Sequence, residues 1–161
     1  MPSKTEKMSR TLTNRLLSVL PSAILAKLAP ALATVMLSKG DRLHEPGDVI
    51  TALYFPLDCV LAITLTMSDG ASAATGIVGR REMIGLNTVM GRRAMTQTAY
   101  VVQVAGSAIK LEAQVLLAAF DRYPAVRTVL LRYTQALIAQ MAQNTACNSH
   151  HMLAQQLDLA A

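Results

Sequence analysis

The chain of 161 residues is 52% hydrophobic, yet it holds only two phenylalanines, four tyrosines and no tryptophan. The expectation is one domain with an aliphatic, methionine-rich core, and the shortage of rings excludes a base-stacking platform for single-stranded nucleic acid. The net charge of +5 comes from a basic N-terminal segment (Lys4, Lys7, Arg10, Arg15) and from two pairs, Arg80-Arg81 and Arg92-Arg93, which read as a solvated tail plus exposed loop arginines.

Residues 1–13 are polar and basic and read as a disordered tail. Asn14 can cap a short helix over 15–20 that Pro21 ends. Ser22 can cap a second helix with Ile24, Leu25 and Leu28 on one face. Basic residues ahead of Leu16-Leu17-Ser18-Val19-Leu20 have the look of a secretory signal, but Pro21 and Lys27 interrupt the apolar run. No run reaches the length needed to span a bilayer.

From 35 to 111 the texture changes to short β-prone runs broken by turn residues. Strands are expected at 35–38, 42–43, 53–55, 60–66, 71–78, 99–104 and 108–111. Lys39-Gly40-Asp41 and Glu45-Pro46-Gly47-Asp48 are turns, the latter because proline presets φ and glycine supplies the left-handed conformation. Ser68-Asp69-Gly70 is the best hairpin signal. Strands this short, with turns this regular, argue for a closed antiparallel roll. After Glu112 the chain turns helical: 112–120 is a short helix, 121–123 a break, and Pro124 suits a first helical turn. From there to Leu153 no glycine or proline intervenes. Val126, Leu130, Tyr133, Leu137 and Met141 make a seam for a partner helix, and Leu131, Ile138, Met141 and Thr145 lie on a neighbouring stripe. A helix with two apolar stripes can pack on its own roll and on a second subunit. Gln140 and Asn144 make the far end of the seam polar.

The segment 79–101 organises the chain: a short apolar helical run between glycines, a basic loop, then a β-prone stretch. Glycine permits close approach of a ligand, and free N–H groups opening a helix favour an anion. With strands on both sides and a long helix after it, this segment resembles the phosphate-binding cassette of the Crp/Fnr family of bacterial regulators. Met83-Ile84-Gly85 and Thr98-Ala99 carry the match, as do Pro46-Gly47-Asp48 and the apolar-aromatic run after it. The resemblance implies a cyclic-nucleotide-binding-type β-roll (a jelly roll, or double-stranded β-helix) with short N-terminal helices and a long C-terminal dimerisation helix. Two departures fall where the chemistry sits. The family's ribose-binding glutamate aligns with Leu86, and its phosphate-binding arginine with Gln97. The candidate ligand-binding residues are therefore Gly85, Leu86, Gln97, Thr98, Ala99, Arg92 and Arg93, in a pocket drier than a sugar requires. Cys59 stands where the family has glycine.

The domains that follow are a basic tail over 1–13, the helical lead-in and roll over 14–123, the dimerisation helix over 124–153 and a truncated hinge over 154–161. His150-His151 fall in the stretch that resembles the family's hinge, and the winged helix-turn-helix that would follow is absent from this chain. Cys59 and Cys147 are too few for an iron–sulfur cluster, which needs about four cysteine ligands. They fit free thiols in a cytoplasmic protein. Only His44 lies in the β region, and no nucleophile, metalloenzyme or phosphate-loop motif occurs, so an enzyme, a metal and a cofactor are not expected. The reading is a homodimeric, cytoplasmic sensor domain of a Crp/Fnr-like regulator, unresponsive to cyclic AMP, with room for an unknown small effector and no membrane partner. The alternatives are a stand-alone dimeric module that antagonises an intact relative and, last, a cupin-like enzyme.

Overall fold

The computed structural model describes residues 9–91 and 95–158. The chain divides into two compact units, Met1–Val129 and Leu130–Ala161. The first unit holds seven strands: β1 (Ala33–Leu37), β2 (Arg42–His44), β3 (Ala52–Pro56), β4 (Val60–Thr66), β5 (Ser72–Val78), β6 (Ala99–Val104) and β7 (Gly106–Glu112). They form two antiparallel sheets, ordered β1-β7-β3 and β2-β6-β4-β5. The expected β-roll is the fold observed.

Turn chemistry sets this topology. Gly40, Gly47 and Gly70 take φ of 92°, 90° and 84°, where a Cβ would strain the backbone. At two of these turns an aspartate caps the loop: Asp41 Oδ2 accepts from Ser38 N–H and Asp48 Oδ2 from Glu45 N–H, each at 2.8 Å. At Gly70, Asp69 Oδ1 accepts from Ala71 N–H at 2.9 Å and the β4–β5 hairpin closes, as its sequence predicts. The links at Gly40, Gly47 and Ala105 each carry the chain from one sheet to the other, whereas the Gly70 hairpin stays within one.

The roll interior is filled from both sheets. Leu37 and Ala108 from one meet Cys59, Leu61, Val78, Tyr100 and Val102 from the other, together with Ile84. Fully burying one such aliphatic side chain contributes about 1.5–3 kcal/mol. In β3 every residue is buried or half-buried and the strand reads as a continuous apolar run, whereas β7 keeps Lys110 and Glu112 toward solvent.

Helices α1 (Arg15–Ser18), α2 (Ser22–Leu28), α3 (Asn87–Met90), α4 (Ala113–Arg122) and α5 (Pro124–Asp158) complete the chain, with a 3-10 turn at Ala29–Ala31. Asn14 caps α1 as expected, Oδ1 accepting from Leu16 and Leu17 N–H at 3.0 and 3.2 Å. Ser22 does not cap α2. It is the first helical residue, and Pro21 at the cap position has no side chain able to accept a hydrogen bond. The expected break after Phe120 narrows to Tyr123, since Asp121 and Arg122 stay helical. Arg127 explains this, because its guanidinium donates to the Phe120 and Asp121 carbonyls at 3.2 and 2.9 Å and so satisfies the end of α4. Lys27 lies 5.2 Å over the Tyr123 ring and ties α2 to the same corner.

In the second unit the helix continues through Asp158, past the hinge expected from 154. Thr134 Oγ1 donates back to the Leu130 carbonyl at 2.9 Å. Leu131, Ile138 and Met141 are 53%, 61% and 61% exposed. Among the described residues no helix is long and apolar enough to cross a membrane. Residues 1–8 of the expected disordered tail lie outside the described residues, whereas 9–11 are helical and Thr11 is buried, so this part of the tail is ordered against the unit.

Candidate functional site

The cassette is built on one glycine. Gly85 takes φ of 94°, and a Cβ there would meet Leu53 Cδ2 at 2.4 Å. Only glycine satisfies both the left-handed backbone and the contact. Just before it, Tyr54 and Ile84 exchange backbone hydrogen bonds at 3.4 and 3.0 Å, which stitches the cassette to β3. Just after it, Thr88 and Val89 N–H reach the Gly85 and Leu86 carbonyls and start the single turn of α3.

Leu86 is 5% exposed. A carboxylate here would be withdrawn from water. The apolar residue suits the backbone position and offers no acceptor for a sugar hydroxyl. Gln97 is exposed on the loop entering β6, Thr98 is half-buried, and Ala99 is buried as the first residue of β6. Arg92 and Arg93 lie outside the described residues.

The loop that brings Gln97 into place is held by Thr96, a residue the sequence pattern does not single out. Thr96 is fully buried. Its Oγ1 donates to the Thr98 carbonyl at 2.7 Å and accepts from Thr98 N–H at 3.1 Å. The Thr98 hydroxyl stands 3.3 Å from that of Thr96, so it has a partner within the loop. Backbone bonds from Gly47 N–H to the Thr96 carbonyl and from Thr96 N–H to the Asp48 carbonyl, at 2.8 and 3.0 Å, fix the segment to the Pro46-Gly47-Asp48 turn. The signal that could have found Thr96 is its spacing from Thr98, since a threonine two residues before another suits a local side-chain turn.

Other polar side chains buried in the same unit include His44 and Thr88. His44 is buried, with Nε2 2.8 Å from the Ala52 carbonyl and its ring edge-on to Tyr54 and Tyr100 at 6.1 and 5.9 Å. Thr88 Oγ1 is buried with no hydrogen-bond partner among the described residues. Cys59 is 2% exposed, and burial pushes its thiol above the usual range, so it is an unreactive core residue. Among the described residues no cluster of three or more His, Cys, Asp or Glu is placed to hold a metal ion.

Of the proposed helix seam, Val126 and Leu130 are 0% and 3% exposed in the single chain, Tyr133 and Leu137 are half-buried, and Met141 is exposed. Val126 is thus occupied within its own unit, leaving less of that stripe for a partner than the spacing alone suggests. The exposed stripe is Leu131, Ile138 and Met141.

This architecture defines a cyclic-nucleotide-binding-type β-roll, and solved structures bear it out. A cyclic nucleotide-binding domain from Methylobacillus flagellatus superposes with a TM-score of 0.72 at 12% identity, covering 88% of this chain and 85% of that one. The N-terminal domain of a transcriptional regulator from Streptomyces coelicolor A3(2) gives 0.62 at 22% identity, with 84% and 94% covered. The regulatory subunit of a cAMP-independent protein kinase A from Trypanosoma brucei gives 0.70 at 19% identity over 82% of this chain. This chain spans about half of that subunit, 47%. No protein-family model and no curated protein matches the sequence.

Proposed function

We propose that this chain is the sensor and dimerisation portion of a cytoplasmic, non-catalytic Crp/Fnr-like transcriptional regulator that does not respond to cyclic AMP. The observation that carries this reading is Leu86, a buried apolar side chain on a retained cassette scaffold, at the position where the family places its ribose-binding glutamate. Gln97 in place of the arginine supports it, because a neutral amide cannot neutralise a phosphate or bind it as a bidentate cation does. The effector is then either absent or a molecule less polar than a cyclic nucleotide. Two chains associate through α5, and DNA contact falls to a winged helix-turn-helix outside these residues.

Titration calorimetry with cyclic AMP and cyclic GMP is the test. No binding heat is expected from the parent protein, and Leu86→Glu with Gln97→Arg should acquire affinity. Micromolar binding by the parent would refute the reading. So would a folded double variant, checked by circular dichroism, that binds no better than the parent, because the cassette would then be misassigned.

A further inference from the structure

Two basic segments that are unrelated in sequence are neighbours in space. Arg15 N–H donates to the Arg80 carbonyl at 2.8 Å. One residue away, Asn14 Nδ2 donates to the Glu82 carbonyl at 3.0 Å. Asn14 is fully buried, so the two segments meet at a fixed joint. Three exposed arginines, Arg15, Arg80 and Arg81, stand around it. None of the three forms an ion pair among the described residues. The neighbouring carboxylates are engaged elsewhere. Glu82 Oε2 accepts from Gly79 N–H at 2.9 Å, while Asp58 accepts from Ser107 and feels Arg10. With Glu82 counted, the joint carries three positive charges against one negative. On the same N-terminal stretch Leu12 and Val19 are 45% and 60% exposed.

We propose that this joint is a docking surface for an acidic segment of a partner protein that also carries apolar side chains. Guanidinium groups bind carboxylates as bidentate donors. Backbones fixed by Asn14 present them with less ordering cost than a free tail would incur. Leu12 and Val19 decide between classes of partner. A nucleic-acid backbone offers phosphates but nothing to cover two aliphatic side chains. A membrane surface needs a longer apolar face than two residues without aromatic anchors supply. An acidic segment with interspersed leucines matches both features. The proposal depends neither on a ligand in the cassette nor on pairing through α5.

The test is fluorescence anisotropy of the full chain with a labelled peptide of glutamates interrupted by single leucines. An all-glutamate peptide, a short DNA duplex and phosphatidylserine vesicles serve as competitors. The glutamate–leucine peptide should bind most tightly. Arg80→Glu with Arg81→Glu should weaken it by about tenfold or more, since reversed rim charges repel the partner. Leu12→Ser with Val19→Ser should weaken it while leaving the all-glutamate peptide unaffected. All these side chains are exposed, and circular dichroism confirms that each variant folds. The proposal is overturned if the peptide does not bind, if its binding ignores the arginine reversal, or if the duplex or the vesicles compete better than the peptide.

Discussion

Asn14 and Glu82 lie 68 positions apart and are joined by a hydrogen bond of 3.0 Å from Nδ2 to the backbone carbonyl. The second Nδ2 proton goes to the Pro56 carbonyl at 2.9 Å. With Oδ1 taken by two amides of α1, all of this buried amide's bonding capacity is used. One side chain therefore fastens the lead-in helix, the end of β3 and the entry to the cassette.

Asn14→Ala removes a helix cap, costing about 1 kcal/mol, and leaves two carbonyls without their donor, at about 1–3 kcal/mol each when buried. A loss of roughly 3 kcal/mol is expected, read from urea unfolding. Asn14→Asp should also destabilise, because it keeps the cap, loses the donor and buries a charge. Hydrogen exchange in Asn14→Ala should rise together around 15–18 and 80–85 while β7 stays protected. Unchanged protection at 80–85 would mean that the joint is not held by this residue.

Two glycines set separate tests of the roll. A Cβ on Gly106 would meet Asp58 Oδ1 at 2.7 Å and the Cys59 backbone nitrogen at 2.8 Å, so the strand junction would have to shift. Gly85→Ala meets Leu53 and is also strained by its φ of 94°. Each alanine should cost about 1–3 kcal/mol. Gly40→Ala, which is strained in φ but has nothing within 4 Å of the added Cβ, should cost less. Equal losses at all three would show that crowding is unimportant here.

Acid should loosen the same junction. Asp58 accepts from the Ser107 backbone N–H and, at 2.8 Å, from its hydroxyl. These bonds hold the Asp58 carboxyl below the usual carboxylate range, the Ser107 backbone bond being the largest cause. A depressed folded-state pKa means the stabilisation is present above the unfolded value, about 3.9, and is lost as pH falls through the lower folded value. Asp58→Asn should be less stable than the parent at neutral pH, and the difference should shrink below about pH 4. A difference that stays constant across that window would remove Asp58 from the acid response.

Much of this fold is legible in the sequence because its signals are local. Asn14 before an apolar run, Pro46-Gly47-Asp48 and Ser68-Asp69-Gly70 each specify a cap or turn by their own chemistry, and β4 and β6 fall on the expected residues. What escapes is whatever depends on contacts across the chain. β1 and β7 each begin two residues earlier than expected: Ala33 is paired with Lys110 and Gly106 with Leu37, partners some seventy positions away. The spacing of Thr96 from Thr98 hints at a local turn, but its burial depends on the distant turn at 47–48, to which its backbone is bonded. Arg80-Arg81 read as isolated loop charges because nothing local says that Arg15 lies against them. Val126 and Leu131 look equally apolar in a helical pattern, and only the fold shows that one is covered and the other open.

That last distinction decides how pairing should be tested. Between Arg132 and Asp158 the chain carries no lysine, arginine, aspartate or glutamate, so two such helices side by side would meet no charge repulsion. Leu131 and Ile138, seven residues apart, are 53% and 61% exposed and fall on one face of α5. Burying a leucine or isoleucine contributes about 1.5–3 kcal/mol, and a two-fold axis makes each contact occur twice. Leu130→Glu would confound the experiment, because Leu130 is 3% exposed in the single chain and a charge there threatens the fold itself. Leu131→Glu with Ile138→Glu acts only on the open stripe. Sedimentation velocity should show a dimer for the parent protein and a folded monomer for the double variant, with an unchanged circular dichroism spectrum. A parent that sediments as a monomer, or a double variant that still sediments as a dimer, would exclude this face of α5 as the contact.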